Sequence, residues 1–197
     1  TATAPALGER VSFDMLKGML ARQSFDGGVT IESVEASSGE ALDYTINKTM
    51  MRVDLPAPLR TGEQFVFSIA WDYAINDATL LRGRTGYEYF EEDGNCIYEI
   101  AQWFPRMAAY TDVNGWQHKQ YLGNGEFTLE FGDYLVRITV PDDHVVSATG
   151  VLVNPEAVLK PEWIERLKEA ETAEKPVFIV TPEEAKENEQ SKPSGKK

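Results

Sequence analysis

A chain of 197 residues with 42% hydrophobic and 11% aromatic residues can bury an apolar core, which excludes disorder over most of its length. Its formal net charge of -13 at pH 7 repels phosphate groups, so nucleic acid is not an expected partner. The single cysteine, Cys96, excludes an internal disulfide, and no apolar run approaches the ~18 residues that a membrane-spanning helix needs.

The first residues show only a weak pattern of apolar and polar residues, and a strand-like alternation follows. Residues 1–28 predict an irregular lead-in, within which 11–20 could form one short helix. From Val29 onward, short alternating apolar runs separated by Gly, Pro, Asn and Asp predict an antiparallel β domain over 29–153. The clearest strand covers 65–73, and alternation over 127–140 predicts a hairpin.

The C-terminal part changes character to helical. Pro161 and Glu162 are typical of a first helical turn, and they predict a helix over 161–173 inside a helical insertion spanning 154–186. That insertion also includes a short strand over 177–180 and a second helix after Thr181. The polar residues of 187–197 predict a disordered tail. The predicted fold is therefore mainly β, an antiparallel β-sandwich or saddle-like open sheet with a small C-terminal helical extension.

Common catalytic and metal-binding patterns are missing from the sequence. His118 and His144 are not at ligand spacing, and neither HExxH nor CxxC occurs, so no zinc or other metal site is expected in this chain. Cys96 lies in a strand-like run, which favours a small buried hydrophobe over a nucleophile. The acidic groups at 91–93 and 142–143 lie at turns, and we interpret them as solvated charges.

The segment 98–116 combines aromatic, amide and charged residues more densely than any other. Gln102 follows an apolar strand and precedes Trp103, so two interpretations stand beside each other. Its amide could bond to backbone at a sheet edge, which general frequencies favour, or it could accept a hydrogen bond from a ligand. Arg106 and Asp112 could form an ion pair that pins the segment, worth ~0–1 kcal/mol if exposed.

Several ordered blocks carry a resemblance to a known family. They include Gln102-Trp103-Phe104-Pro105-Arg106, a tyrosine-aspartate turn through Asp112 that ends at Asn114-Gly115-Trp116, and the stretches 87–90 and 125–141. As a set they resemble the N-terminal all-β domain of the aminopeptidase N-like, or gluzincin, zinc metallopeptidases, most closely the bacterial branch. The match runs from about Tyr87 to Gly150, and residues 29–73 fit the same sheet more loosely.

The resemblance implies a saddle-like β domain that packs on a thermolysin-like catalytic domain of the same polypeptide. In that family the catalytic domain carries HExxH and the zinc, which activates the attacking water. This chain has none of those residues, so peptidase activity is implied only for a longer parent protein. Export to the periplasm or out of the cell is a family-level expectation.

The resemblance also implies a role for one residue of this chain. A Gln or Glu of the family's β domain binds the free α-amine of the peptide substrate, and Gln102 is the residue that best matches it. A gap-free alignment with more distant relatives would place Ile100 there instead, and an isoleucine cannot bind an amine. Trp103, Arg106, Asp112 and Trp116 would support the motif.

The alternative interpretation is a free-standing β-sandwich module that binds carbohydrate or protein. Trp71, Trp103 or Trp116 would then serve as stacking platforms for the ligand. The burial tendency of tryptophan favours core packing for these residues.

The purified chain is expected to hold no stoichiometric zinc and to hydrolyse no peptide, because its sequence contains no ligand cluster. Elemental analysis of metal-supplemented protein checks this expectation. One tightly bound zinc ion per chain would contradict it.

Overall fold

A computed structural model describes residues 12–81, 84–119 and 128–197, so the predicted turn at 123–125 and the first residue of the predicted 127–140 hairpin lie outside it. The described residues form two compact units. The first comprises the described parts of 1–89 and 96–132, and the second comprises 90–95 and 133–197. This division differs from the sequence prediction, which ends the β domain at residue 153.

The strands of the described ranges associate in pairs, and the prediction of a broadly β-rich chain is confirmed. Each sheet has two strands, and the sheets are antiparallel. The pairs are β1 (Thr30–Ala36) with β4 (Phe67–Asp72), β2 (Tyr44–Asn47) with β3 (Met50–Val53), β5 (Gly86–Phe90) with β6 (Asn95–Glu99), and β7 (Tyr110–Thr111) with β8 (Gly115–Trp116).

The longest pair, β1 with β4, organises the first unit. Val34 of β1 lies opposite Ile69 of β4 and is only 3% exposed. The backbone N–H of Leu42 donates to the carbonyl of Val34 at 2.8 Å, which brings a second buried apolar residue next to this strand. Near the other end of the ladder Trp71 lies opposite Ile31. The sequence prediction of a strand over 65–73 therefore corresponds to β4.

Two short hairpin turns place a residue in the left-handed region of backbone space. Lys48, in the turn between β2 and β3, has a φ of 56°, the left-handed conformation that tight hairpin turns require. Between β7 and β8, three residues form the loop and Gly115 follows with a φ of 67°. A glycine fits there because a Cβ is unfavourable in this region of backbone space.

Four helices lie in the described ranges: α1 (Phe13–Ser24), α2 (Pro155–Val158), α3 (Pro161–Ala170) and α4 (Pro182–Asn188). The hydroxyl of Ser12 caps α1 by accepting from the N–H of Met15 at 3.1 Å, so the predicted irregular lead-in contains an ordered helix longer than expected. The predicted helix over 161–173 is present as α3. None of these helices is both long and apolar enough to cross a bilayer.

One buried tryptophan and one ion pair hold the helical part of the second unit. Trp163 of α3 is 4% exposed, and Lys160 Nζ lies 5.0 Å from its ring centroid. Arg166 Nη1 donates both to the carbonyl of Ile179 at 2.9 Å and to Glu184 Oε2 at 2.6 Å. The side chain of Arg166 therefore ties α3 to the start of α4.

Glu184 is also part of a capping box. Its carboxylate accepts from the N–H of Thr181, and the Thr181 hydroxyl accepts from the N–H of Glu184. The Arg166 hydrogen bond, followed by the Thr181 backbone bond, lowers the pKa of Glu184 to about 2. Trp163 makes a smaller contribution to the lowered pKa of Glu184, although its indole N–H has no hydrogen-bond acceptor among the described residues.

Residues 128–140 differ from the predicted hairpin. No strand forms there, and the one bridge joins Leu129 to Ala108. The ranges 145–153 and 177–180 likewise contain no strand, although their sequences predict strands. Alternation identifies which side chains share a face, but a strand also needs a neighbour that accepts and donates backbone hydrogen bonds.

The end of the chain also differs from prediction, since the disordered tail was expected from residue 187. Pro141 bridges Lys196, and Val140 exchanges backbone hydrogen bonds with Lys197. Asp142 accepts from the hydroxyl of Ser194 at 2.5 Å and from its N–H at 2.9 Å. These bonds lower the pKa of Asp142, the hydroxyl contributing most. A side-chain carboxylate thus compensates for the lack of apolar residues in this segment.

Glu184→Gln is expected to lower the melting temperature at neutral pH and to have little effect near pH 2. The carboxylate has a normal pKa of 4.5 and a folded pKa of about 2. Its contribution to stability is therefore fully present above about pH 4.5 and is lost as the pH falls towards 2. Thermal melts of both proteins across this range measure the difference.

Glu165→Gln is the matched control, because Glu165 pairs with Lys168 at 2.8 Å but 73% of its side chain is exposed. Its melting temperature should stay close to that of the parent chain at every pH. If both variants lose the same amount of melting temperature at neutral pH, the contact of Glu184 with Arg166 stabilises the fold no more than an exposed ion pair does.

Candidate functional site

The segment that joins β6 to β7, residues 100–109, lies against β4 through two tryptophans. The indole N–H of Trp71 donates to the backbone carbonyl of Trp103 at 3.3 Å. The two rings stack with centroids 6.3 Å apart and planes 28° apart, and both side chains are half-buried. This arrangement agrees with core packing, the more frequent role of tryptophan, and fixes the segment to the β1–β4 sheet.

Gln102 has an unusual backbone between two anchored neighbours. Its φ is 53°, in the left-handed region, and its side chain is exposed. The N–H of Ala101 donates to Thr85 Oγ1 at 3.4 Å, and that hydroxyl donates to the carbonyl of Glu99 at 3.0 Å. No hydrogen bond joins the Gln102 amide to another residue of the described ranges. Within the described ranges, Gln102 is therefore not a sheet-edge glutamine bonded to backbone.

Aromatic contacts continue along the segment to Arg106. Phe104 meets Trp103 edge-on, with centroids 4.9 Å apart and planes 60° apart. Arg106 Cζ lies 5.5 Å from the centroid of the Phe104 ring, a cation–π geometry. Arg106 is otherwise exposed, so it places a positive charge four residues after Gln102.

The expected ion pair between Arg106 and Asp112 is not formed, although both residues are described. Asp112 begins the exposed loop between β7 and β8. The Arg106 guanidinium instead lies over the Phe104 ring, two positions away in sequence.

Trp116 has a different environment from Trp71 and Trp103. It pairs with Tyr110 across β7 and β8, with ring centroids 5.3 Å apart and planes 77° apart. Trp116 is 54% exposed and Tyr110 is 61% exposed. The hairpin is held beneath them by Ala109, which is 1% exposed and whose carbonyl accepts from the N–H of Gln117 at 2.8 Å. Two aromatic faces thus remain accessible at this edge.

The sequence identifies Gln102 and its neighbours as a candidate site, but it does not show which contacts hold them in place. Trp71 was identifiable as part of the apolar face of 65–73, yet its bond to the Trp103 carbonyl had no sequence signal. Thr85 lies in the range 75–86, for which the sequence predicts only a loop. The links to residues 14 and 32 positions away can be recognised only in the folded chain.

The two histidines lie in different units. In the first unit His118 Nδ1 lies 2.8 Å from the carbonyl of Trp116, and in the second His144 Nδ1 lies 2.8 Å from Asp143 Oδ1. Burial raises the pKa of Tyr98, with a further contribution from Cys96. The part of the chain that the structure describes contains no group of three or more His, Cys, Asp or Glu side chains suited to a metal ion. The site offers an amide, a cation and aromatic faces, which can bind a ligand.

No protein-family model matches the sequence, and no match was found among curated proteins or solved structures. Membership of the aminopeptidase N-like family therefore stays a prediction that rests on the sequence blocks of 87–150.

Asp112→Asn is expected to change the free energy of unfolding by less than ~0.5 kcal/mol, because Asp112 is exposed and does not pair with Arg106. Urea unfolding of the variant, of Arg106→Gln and of the double variant measures the coupling between the two positions. A coupling energy above ~0.5 kcal/mol would show that the pair forms in solution.

Proposed function

We propose that this chain is a non-catalytic β domain of a zinc-dependent aminopeptidase-like metallopeptidase. In this proposal it packs on the catalytic domain of the same polypeptide and helps to bind the N-terminus of the peptide substrate. The observation that carries the proposal is the conformation of Gln102: an exposed amide on a left-handed backbone, inside the sequence block that resembles the family. Strained residues of this kind concentrate at functional sites.

The chemistry of Gln102 suits an amine. The amide oxygen accepts hydrogen bonds and carries no charge, so it can bind a protonated α-amine together with a carboxylate from the catalytic domain. The described residues of this chain do not fit a zinc ion, and the proposal assigns the zinc and its ligands to the catalytic domain.

Exposed apolar side chains support a packing role for the first unit. Near the candidate site, Met107 is 61% exposed, Val113 is 82% exposed and Trp116 is 54% exposed. Clusters of exposed apolar side chains frequently mark surfaces that another domain covers. In the proposal, contact with the catalytic domain covers them, and the two-stranded sheets belong to a saddle-like open sheet or sandwich.

Gln102→Ala in the full-length enzyme is expected to lower kcat/KM for peptides with a free N-terminus by roughly 10- to 150-fold. The reason is the loss of a hydrogen bond to a charged group, worth about 1.5–3 kcal/mol. N-blocked peptides should be hydrolysed as by the parent enzyme, since they lack the charged amine. Steady-state kinetics with matched free and blocked peptides, alongside a thermal melt, provide the measurement.

Unchanged kinetics for both peptide types would show that Gln102 does not bind the amine. A collapse of the melting temperature would assign Gln102 a structural role instead. Asp43→Asn is the control, because it changes an exposed polar side chain outside the segment 98–116 and is not expected to affect either peptide.

One observation favours the alternative of a free-standing ligand-binding module. Trp116 and Tyr110 present accessible aromatic faces side by side, which is an arrangement that can stack on a sugar ring. The two proposals make different predictions about the coding sequence after Lys197. HExxH followed by a later Glu supports the peptidase, and a stop codon soon after supports the module. Trp116→Ala should abolish glycan binding only in the second case.

A further inference from the structure

The left-handed backbone of Gln102 requires a cause beyond its own side chain. Left-handed residues other than glycine are mostly Asn or Asp, whose short polar side chains bond locally to the backbone. Glutamine has no such preference. Lys48, the other non-glycine residue with positive φ in the described ranges, lies in a tight hairpin turn that demands this conformation. Gln102 lies in no hairpin turn, so neither explanation applies to it.

Hydrogen bonds to distant residues fix the chain on both sides of Gln102. On the preceding side, the Ala101 N–H donates to Thr85 Oγ1 at 3.4 Å. On the following side, the carbonyl of Trp103 accepts from Trp71 Nε1 at 3.3 Å. The two anchored groups are separated by only a few backbone torsions, among which φ of Gln102 is central.

The anchors are themselves held in place. Trp71 belongs to β4, which pairs with β1 over six residues, and its ring stacks on Trp103. The Thr85 hydroxyl also donates to the Glu99 carbonyl at 3.0 Å, at the end of β6. A strained backbone conformation persists only where surrounding contacts hold it in place. The contacts of Trp71 and Thr85 do so for Gln102.

We infer that Trp71 and Thr85 are positioning residues that together force Gln102 into the left-handed conformation and direct its amide outward. The consequence for substrate binding rests on the proposed function; the conformational control does not. Neither residue touches the ligand in this inference. Each acts through the backbone on one side of Gln102.

A double-mutant cycle in the 197-residue chain tests the inference. Gln102→Gly is expected to raise the ratio of folded to unfolded protein by roughly three- to tenfold. The left-handed penalty for a residue with a Cβ is worth a factor of about 5–30, and the greater freedom of unfolded glycine offsets part of it. Urea unfolding followed by circular dichroism measures the ratio.

Removing either anchor should abolish that gain. Trp71→Phe keeps an aromatic ring but removes the N–H donor, and Thr85→Val keeps the shape but removes the hydroxyl. In each background position 102 can relax, so Gln102→Gly is expected to give no gain or a small loss. Thr85→Val is the smaller of the two changes, and residue 85 is half-buried, so this variant is expected to fold. If Trp71→Phe does not fold, the Thr85→Val background alone tests the inference.

Lys48→Gly is the matched control, because its left-handed conformation comes from the β2–β3 turn. Its stabilising effect should be the same in the parent, Trp71→Phe and Thr85→Val backgrounds. The inference is overturned if Gln102→Gly gives no gain in the parent chain. It is also overturned if the gain survives unchanged in Thr85→Val and in any folded Trp71→Phe protein.

Kinetics of the full-length enzyme separate this inference from the proposed function. Trp71→Phe is expected to lower kcat/KM for peptides with a free N-terminus by up to about a hundredfold through misplacement of the amide. N-blocked peptides should be unaffected. If the stability cycle shows coupling but Trp71→Phe and Gln102→Ala leave all kinetics unchanged, the positioning stands and the role of Gln102 in substrate binding fails.

Discussion

Every sheet in the described part of this chain has only two strands, and a two-stranded sheet is marginal in water by itself. The first unit therefore depends on side chains that bond from one pair to the backbone of another segment. The indole of Trp71 is one such link, and the hydroxyl of Thr85, just before β5, is another because it accepts from the N–H of Ala101 in the segment after β6. Each hydrogen bond contributes only about 0.5–1.5 kcal/mol, so the loss of one is a sizeable fraction of the stability of so small an assembly.

Features with local causes could be predicted from the sequence. The first residues of α3 and α4 predict both helices. A proline in the first turn and a capping threonine favour helix formation through contacts within four residues of sequence. The strand around Trp71 was equally clear from alternation over nine residues. For the candidate site, the density of unlike residue types in 98–116 identified Gln102 and Trp103 before any contact was known. These predictions needed no knowledge of which segments meet.

Features that depend on a distant partner could not be predicted. Alternation over 127–140 is as regular as in β4, yet residues 128–140 form no strand in the structure. The carboxylate of Asp142 bonds to Ser194, 52 residues away, and so orders a segment whose composition suggests disorder. The backbone of Gln102 is the sharpest case, because glutamine itself favours the right-handed and extended regions. Only the fixed neighbours on both sides account for it.

The distribution of the four tryptophans has a practical consequence for spectroscopy. Trp163 is the single tryptophan of the second unit, where it is buried, while the other three lie in the first unit. In a variant that retains Trp163 as its single tryptophan, intrinsic fluorescence would report the opening of the second unit without emission from the first. Its comparison with signals from the β-rich unit would show whether the two units unfold in one cooperative step or separately. Tryptophan variants of this chain can therefore test whether its two units are stable independently of each other.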